Sequence, residues 1–378
     1  MIQINGRCFI GVEMDGLEVF NITHFKKLVV NEGTGLTLPV FELTLHQSDY
    51  RLHRTLVRPN TKIKITYGAS ATNAIPYDFI ILNYSFNKGE SAKFDLVLSG
   101  VLDLSDFINI PTIKHFDKTS NAILSEISTV IPIVEYAGAD QQVWIQHNIS
   151  DKNFIERVLA NSYISDTDVV ISSLNVGKEL VARSVKTQLS KSGVVVANEG
   201  KGGIRFDYIK VESDAAVWSH FFSEGRTLPV FKVKDRSTDY YTPGLESIGD
   251  SQIYNNLTTG YQYPTLLDCG NCHENYYKAW ADNLSKNTQF SNNKVYVFVS
   301  NYYLANDELK VTDTIKLVVN NSSYNELADP MSGKYILSEK STVITAKYGY
   351  NHRLSLIRDY VIWSTNIKQN IWLKAQIR

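Results

Sequence analysis

Two parts of the chain resemble one another, and this internal similarity constrains the fold more than any other feature of the sequence. The segment LTLPVFELT at Leu36–Thr44 is echoed by RTLPVFKVK at Arg226–Lys234. A second echo relates TKIKI at Thr61–Ile65 to TIKLV at Thr314–Val318, and a loop and an extended hairpin segment follow each copy. Self-similarity within a chain is typical of repeated structural units. We therefore predict two related β-barrel domains.

The first hundred or so residues have the composition of short antiparallel strands. Strict alternation of apolar and polar residues is clear at Phe41–Leu45 and at Ile63–Tyr67, which gives each strand one core face. The strands predicted here are Ile2–Ile4, Arg7–Val12, Lys27–Asn31, Leu38–Leu45, Lys62–Tyr67, Asp78–Tyr84 and Lys93–Ser99. Many short strands in so few residues favour a small barrel or sandwich.

The stretch 332–363, SGKYILSEKSTVITAKYGYNHRLSLIRDYVIW, carries the second hairpin system. Gly333 precedes its first β-rich run, and the cluster Gly349–Asn351 is typical of a hairpin turn. The pattern predicts three strands folded on one another. The residues expected in their core are Tyr335, Leu354 and Leu356.

After Leu104 the pattern changes to mixed α and β. Apolar residues at helical spacing predict a helix between Phe116 and Ile131, with Thr119 or Ser120 as its cap and Pro132 as its end. The other elements predicted here are a strand at Val143–Gln146, a helix beginning at Ser150 or Asp151, and a hairpin of Ser184–Leu189 with Gly193–Asn198.

These patterns predict a mainly β chain with α+β insertions, in which two duplicated antiparallel β-barrels accompany a mixed α/β domain. A length of 378 residues suits two to three domains of about 150 residues each. The predicted boundaries are 1–105 for the first barrel, 106–200 with 240–287 for the mixed domain, 201–239 with 288–362 for the second barrel, and 363–378 for a C-terminal tail.

Composition excludes several classes of protein. With 43% hydrophobic residues the chain can bury a real core. A formal net charge of −1 gives no bulk attraction to nucleic acid or to an anionic membrane. The sequence has neither a signal-peptide pattern nor an apolar run long enough for a membrane span, so we expect a soluble protein made in a cytosol. Three cysteines are too few for a disulfide scaffold.

The pattern C-x-x-C-H at Cys269, Cys272 and His273 is the most specific local motif. It matches covalent haem attachment and half a zinc site. Haem attachment requires export and an axial ligand in a small helical domain, which the sequence does not offer. The histidines that are candidates by residue type to complete a zinc site are His115, His147 and His220. Ordinary loop cysteines account for the motif, and we assign no metal site. Cys269, Cys272 and His273 stay the metal candidates.

Other polar patterns also have structural explanations. His46 and His53 flank Asp49 and would suggest an acid–base or metal pair on a helix, but exposed residues of a connection account for them. The pairs of nearby carboxylates that might serve a glycosidase are Asp166 with Asp168 and Asp235 with Asp239. Charged loops account for these equally well. We therefore predict no catalytic residue and no cofactor.

Two segments resemble a known family. The run Gly333–Leu337, a long hairpin and then Leu354–Asp359 resemble the closing pattern of phage tail hub proteins, where a GKY-(I/L) strand precedes a strand ending in L-x-L-x-R-D. Trp144–Ala160 is similar to a strand and helix of the same proteins. The order of blocks resembles the central baseplate hub of contractile-tailed phages, of which the T-even hub is the best-known member, and the hub part of type VI secretion spike proteins.

The resemblance implies a structural protein and not an enzyme. It implies a homotrimer whose two barrels per subunit give six around a ring, matching a sixfold tail tube to a threefold central spike, with DNA passing through the lumen unread. The hairpins at 79–99 and 335–358 would line or close the ring. The implied partners are further copies of the chain, the central spike, tail tube and baseplate proteins, and the tape-measure protein, in a virion assembled in the host cytoplasm. The alternatives are a virion-associated cell-wall hydrolase and a tail-tip carbohydrate-binding adaptor.

Overall fold

The protein is described by a computed structural model over most of its N-terminal half and parts of the rest. The described residues are 2–4, 8–14, 17–18, 25–47, 57–88, 94–165, 168–192, 195–198, 204–206, 208–213, 231–233, 265–267, 293–300, 304, 308–319 and 332–357. Within these ranges a 15-stranded sheet forms the frame, and three smaller sheets accompany it. The chain is mainly β, as the sequence predicts.

The first strand unit is a curled antiparallel sheet of eight strands. They are β1 (Ile2–Ile4), β2 (Cys8–Met14), β3 (Leu17–Glu18), β4 (Phe25–Gly33), β5 (Val40–Gln47), β6 (Lys62–Gly68), β7 (Ile75–Lys88) and β8 (Phe94–Leu102). Their order is β1-β2-β6-β7-β8-β5-β4, with β3 against β2. Phe41, Leu43 and Leu45 are buried while Glu42 is exposed, as alternation requires. All the strands predicted in this part are confirmed.

An α/β module follows the first unit. Its elements are α1 (Ser105–Asn109), β9 (Pro111–Lys118), α2 (Ser120–Ser125), β10 (Ile131–Glu135), β11 (Gln142–Ser150), α3 (Asp151–Ala160), β12 (Val170–Leu174), β13 (Glu179–Ser184) and α4 (Val185–Ser190). Strands β9 and β11 form an antiparallel pair, and β10-β13-β12 form a three-stranded sheet. The predicted helix at Asp151 is confirmed: Ser150 caps it by accepting from the Asn153 amide, and Phe154, Ile155 and Val158 are buried.

Two predictions in the module are wrong. The helix predicted to reach Ile131 ends at Ser125, and Pro132 lies inside β10. This strand is at the edge of its sheet, where a missing amide hydrogen is tolerated. The segment Ser184–Leu189 is not one arm of a hairpin, because Val185–Ser190 is the helix α4 and Val195–Asn198 pairs elsewhere.

The second strand unit contains the remaining strands of the large sheet. The elements of this part are β14 (Val195–Asn198), β15 (Ile204–Arg205), β16 (Tyr208–Ser213), β17 (Phe231–Val233), β18 (Thr265–Leu267), β19 (Asn293–Ser300), β20 (Thr314–Val318), β21 (Gly333–Thr345) and β22 (Gly349–Ile357). Strands β20-β21-β22-β19-β16 are neighbours in that order, and β14 and β15 continue beyond β20. Strands β17 and β18 form a separate parallel pair.

The stretch predicted as three strands has two within its described residues. Strand β21 runs without a break to Thr345, and the turn at 346–348 leads to Gly349, whose φ of 68° is accessible to glycine at little cost. The expected core residues Tyr335, Leu354 and Leu356 are all buried.

The two units share one topology. In chain order β4, β5, β6, β7 and β8 correspond to β16, β19, β20, β21 and β22, and the neighbours across the sheet match pair by pair, all antiparallel. In the long hairpins Asn83 faces Ser99 and Glu339 faces Ser355, with equal chain spacing. Both carry a register shift just before these residues. The duplicated architecture predicted from the sequence is therefore present.

One of the two sequence echoes does not correspond to structural equivalence. The first TLPVF runs into β5, whose counterpart is β19. The second runs into β17, which pairs with β18 outside the large sheet. The other echo does correspond to structural equivalence, but with an offset of one residue. The sequence match aligns Thr314 with Thr61, whereas the structure aligns Thr314 with Lys62. Lys62 lies opposite Ile80, and Thr314 lies opposite Ile336, the counterpart of Ile80. Topology, rather than the TLPVF match, supports the duplication.

The clusters of buried apolar residues match the two strand units and the module only in part. One cluster of buried apolar residues joins the first unit to the module, from Leu43 to Phe154, and also contains Ile344 and Tyr350 of the second unit. A second cluster fills the second unit around Val297, Leu317 and Leu354. A third, smaller cluster packs module residues such as Ile171 against Ile336 and Ile357. The module therefore shares its main core with the first unit and also packs against the second unit, which has a further core of its own.

Candidate functional site at the junction of the two strand units

The two units meet by direct strand pairing. Strand β4 lies antiparallel to the second half of β21, from Glu339 opposite Gly33 to Thr345 opposite Lys27. The same half of β21 also pairs with β22, so it is hydrogen-bonded on both sides. Because a strand edge accepts any complementary strand, this junction shows how one unit of this type can dock edge to edge on another.

A buried ion pair lies near one end of the junction. Lys340 Nζ is 3.1 Å from Glu32 Oε2, and both side chains are almost completely excluded from solvent. Lys340 also donates to the Leu309 carbonyl at 3.1 Å, and the Val176 amide donates to Glu32 Oε1 at 2.9 Å. These contacts connect both units and the module. Each charge is neutralised by the other, so the arrangement is that of a structural contact between the strands and not of an acid–base catalyst.

A half-open cleft of about 300 Å³ runs beside this junction. Residues of both units line it, including Asn31, Thr37, Glu339 and Arg353. The Arg353 guanidinium lies 4.0 Å from the centroid of the Tyr296 ring, a cation–π contact that fixes its position. The cleft is thus the groove left between two docked strand units.

Ionic contacts fix the module to the second unit. Arg183 pairs with Asp313, and Lys310 Nζ is 2.8 Å from Glu179 Oε2. The Thr314 hydroxyl donates to the carbonyl of Gln188 in α4 at 2.8 Å. The module therefore contacts both units, the first through a shared apolar core and the second through these polar contacts.

Within the module a second set of charges surrounds Glu135. Its carboxylate is 3.0 Å from Lys191 Nζ and accepts a hydrogen bond from Gln188 at 3.2 Å, beside Arg183. Partial burial raises the pKa of Glu135, but the hydrogen bond from Lys191 and the nearby positive charges outweigh this effect, so the pKa lies below its ordinary value.

Two exposed apolar surfaces stand out among the described residues. One is on β7, where Leu82 and Tyr84 are 50% and 37% exposed. The other is the outer face of the β9–β11 pair, where Ile113, Val143 and Ile145 are each more than half exposed. Apolar patches of this kind on a soluble protein often mark contact surfaces.

The residues considered for metal or catalytic chemistry do not form a site in the described part of the chain. Cys269, Cys272, His273, His53, Asp49, His220, Asp166, Asp235 and Asp239 lie outside it. Across the described ranges, no group of three or more His, Cys, Asp or Glu side chains could hold a metal ion. His115 and His147 lie on exposed positions of β9 and β11.

Two of these candidates have structural roles. His46 Nδ1 lies 2.9 Å from Asp95, to which Lys26 also donates. Burial raises the pKa of Asp95, but the hydrogen bonds from His46 and Lys26 outweigh it and the pKa is lowered. Asp168 accepts from the Ser184 hydroxyl and the Lys186 amide at the start of α4, which makes it a capping residue.

Sequence analysis missed the Glu32–Lys340 pair, although the signal was present. Glu32 continues the buried series Leu28 and Val30 at every second residue, and Lys340 continues the series that includes Ile344. A charge in phase with the core face must find a partner there. Two such charges of opposite sign would have indicated that the strands meet.

Among the described helices none is long and apolar enough to cross a membrane.

Comparison with known proteins gives similarity in structure only. No protein-family model matches the chain, and no curated protein sequence matches it. The 43 kDa tail protein of prophage MuSo2 from Shewanella oneidensis is 13% identical, with a TM-score of 0.59 over 93% of this chain and 98% of its own. The tail protein from Neisseria meningitidis MC58 is 10% identical, with a TM-score of 0.57 over 94% and 98%.

A third structure is less similar. The E. coli c3393 protein, a component of the type VI secretion system, is 8% identical, with a TM-score of 0.47 over 93% of this chain and 77% of its own. The two tail proteins, by contrast, match this chain over nearly the full length of each partner. The resemblance found in the sequence is thus confirmed at the level of the fold: this chain has the fold of phage tail proteins.

Proposed function

We propose that the chain is the structural hub of a phage tail baseplate. In this proposal a homotrimeric ring adapts the sixfold tail tube to the threefold central spike and lets DNA pass through its centre. The observation that carries the proposal is the pair of strand units with one topology and with a register shift at the equivalent position of each long hairpin. The full-length similarity to two tail proteins supports it.

Duplication within one chain is a direct solution to a mismatch of symmetry. A ring of three chains presents six similar strand units to a sixfold neighbour, while the features that differ between the two units repeat only three times. The β4–β21 junction supports this arrangement, because the two units already dock edge to edge within the chain. The long hairpins β7–β8 and β21–β22 would then line or close the ring.

The remaining parts of the proposal extend this arrangement. We assign residues 1–105 to the first tube-like unit, 201–239 with 288–362 to the second, 106–200 with 240–287 to the mixed domain, and 363–378 to a tail. In this division β14 pairing with β20, and β17 pairing with β18, are contacts between the mixed domain and the second unit. The mixed domain would lie outside the ring and contact the spike or surrounding baseplate proteins. The exposed face with Ile113, Val143 and Ile145 supports a contact surface there. Tube and tape-measure proteins would complete the set of partners in the virion.

Electron microscopy of the purified full-length chain tests this function. We expect averaged images of a threefold ring with six similar lobes around an opening. Rings with three or twelve lobes, or particles without an opening, would overturn the hub. The same preparation should leave purified peptidoglycan intact; release of soluble fragments would support a cell-wall hydrolase instead.

A further inference from the structure

Several strand edges of the large sheet have no strand beside them among the described residues. Those of β1, β3 and β15 are at most three residues long, whereas those of β7 and β16 are longer. Strand β7 pairs with β6 only as far as Ile80, and beyond this residue its described strand partner is β8 alone. Strand β16 pairs with β19, and no described strand lies along its other side. The strands between these two edges run in the order β7-β8-β5-β4-β21-β22-β19-β16.

The internal junction shows what such edges can bind. There the second half of β21 accepts β4. The counterpart of β21 in the first unit is β7, and the counterpart of β4 in the second unit is β16. The edge of β7 is therefore equivalent to the edge that is occupied at the junction, and β16 is equivalent to the strand that occupies it.

We propose that β7 of one copy pairs antiparallel with β16 of a second copy, repeating between chains the contact that β21 and β4 make within one chain. The equivalences also fix the register. Because Lys340 faces Glu32 at the junction, the counterparts Tyr84 and Ser213 should face each other between copies. The predicted pairs are Tyr84 with Ser213 of the partner subunit, Ser85 with the partner's Glu212, Phe86 with the partner's Val211, and Asn87 with the partner's Lys210.

The exposure of β7 agrees with this partner. Leu82 and Tyr84 are 50% and 37% exposed, whereas their counterparts in β21, Ser338 and Lys340, are 3% and 2% exposed beside β4. The strand with the larger apolar side chains is thus the more exposed one. A strand docked on β7 would cover these side chains as β4 covers β21.

The ion pair distinguishes the two contacts. If β4 of a second copy bound β7, Glu32 would face Tyr84 and would be buried without its cation. If β16 bound β21, Lys340 would face Ser213 and would lack its carboxylate. An unpaired buried charge is strongly unfavourable. Glu32 and Lys340 therefore favour the pairing of β4 with β21 within one chain, and β7 is left to pair with β16 of another copy.

A contact between unlike surfaces either closes into a ring or grows into a filament. The pairing proposed here rests on the trimer of the proposed function for its closure at three copies. The strand register itself does not depend on that number, so the two claims can fail separately.

Disulfide trapping in the full-length chain tests the register. Cys269 and Cys272 are replaced by serine, while Cys8 is kept because burial raises its pKa to about 11 and keeps the thiol protonated. The matched variants are Ser85→Cys/Glu212→Cys and Asn87→Cys/Lys210→Cys. The control is Ser85→Cys/Tyr208→Cys, which places the thiols roughly 13 Å out of register at about 3.3 Å per residue.

We expect both matched variants to form reducible cross-links between chains, at least tenfold more than the control, ending at three linked copies. Cross-links ending at three support ring and register together. Matched cross-links that continue beyond three support the strand pairing and overturn the trimer. A trimer whose matched and control variants cross-link equally, or not at all, overturns the pairing alone, and a monomer at every concentration overturns both.

Hydrogen exchange of the unmodified protein gives a second readout should the cysteine variants not fold. Amides of β7 between Asn83 and Lys88 should exchange at least tenfold more slowly in the assembled protein than after dilution to single chains. Equal exchange in the two states would overturn the pairing.

Discussion

Lys340 stands directly opposite Glu32 across the junction of the two strand units, with side chains 2% and 3% exposed. The single variant Lys340→Met leaves a buried carboxylate without its cation, and we expect it to lower the free energy of unfolding by about 3–5 kcal/mol. Adding Glu32→Gln removes the charge and keeps an acceptor for the Val176 amide, so the double variant should recover about half of the loss or more. Urea unfolding of the four proteins measures this.

An exposed ion pair between β4 and the neighbouring strand β5 supplies the control. Lys27 and Glu42 lie 3.5 Å apart with side chains 43% and 49% exposed, and Lys27→Met should cost at most about 0.5 kcal/mol. Additive losses for Glu32→Gln and Lys340→Met would show that the buried pair does not act as a unit.

Gly100 is required by the packing of the first unit. A Cβ atom at this position would lie 2.0 Å from the Ile80 carbonyl oxygen and 2.7 Å from Cε1 of Phe41. Backbone cannot move aside without disturbing the β7–β8 hairpin, so Gly100→Ala should destabilise the protein by about 2–3 kcal/mol. Thermal unfolding measures the loss.

Gly33 is the matched control for this substitution. A Cβ atom there would lie 3.8 Å from Cγ of Glu339, an ordinary contact. Gly33→Ala should therefore be neutral or slightly stabilising, by up to about 0.5 kcal/mol. A loss at Gly33 as large as that at Gly100 would contradict the packing described here.

Glu135 should make the stability of the protein depend on pH. Its pKa is lower in the folded chain than the ordinary value of 4.5, so the unfolded chain binds more protons near this pH. The stabilisation is complete above about pH 5, where the carboxyl is ionised in both states, and is lost as the pH falls through 4.5 and then through the folded value. Glu135→Gln should cost up to about 1 kcal/mol at pH 7, a small value because the carboxylate is 39% exposed.

Denaturant unfolding of both proteins from pH 7 to pH 3 checks this expectation. The difference in stability between wild type and Glu135→Gln should be constant down to about pH 5 and should shrink below it. Asp95 and Asp103 also have lowered pKa values, but they titrate in both proteins and do not enter the difference. A difference that grows toward acid would have the wrong sign for a lowered pKa.

Local patterns predicted most of the first unit. Alternation at Phe41–Leu45 and at Ile63–Tyr67 reflects one buried face per strand, and this requirement is independent of which strands become neighbours. The helix at Asp151 was predictable for a similar reason, since its cap and its apolar face lie within one short segment.

Elements that depend on distant residues were not predictable in this way. Segment 185–190 contains the β-branched residues Val185 and Thr187, yet it is helical because Ser184 and the distant Asp168 cap its first amides. Strand β21 continues through Thr345 because β4 and β22 pair with it on both sides. The TLPVF echo misled because five residues carry no information on which strand they will join.

The mass of the unmodified protein in solution tests the central claim most directly. At concentrations high enough for full assembly, a chain of 42.7 kDa should sediment as a single species of three copies, about 128 kDa. A stable trimer is the result that a ring of three duplicated chains requires. A hexamer, or a monomer that persists at every concentration, would contradict it.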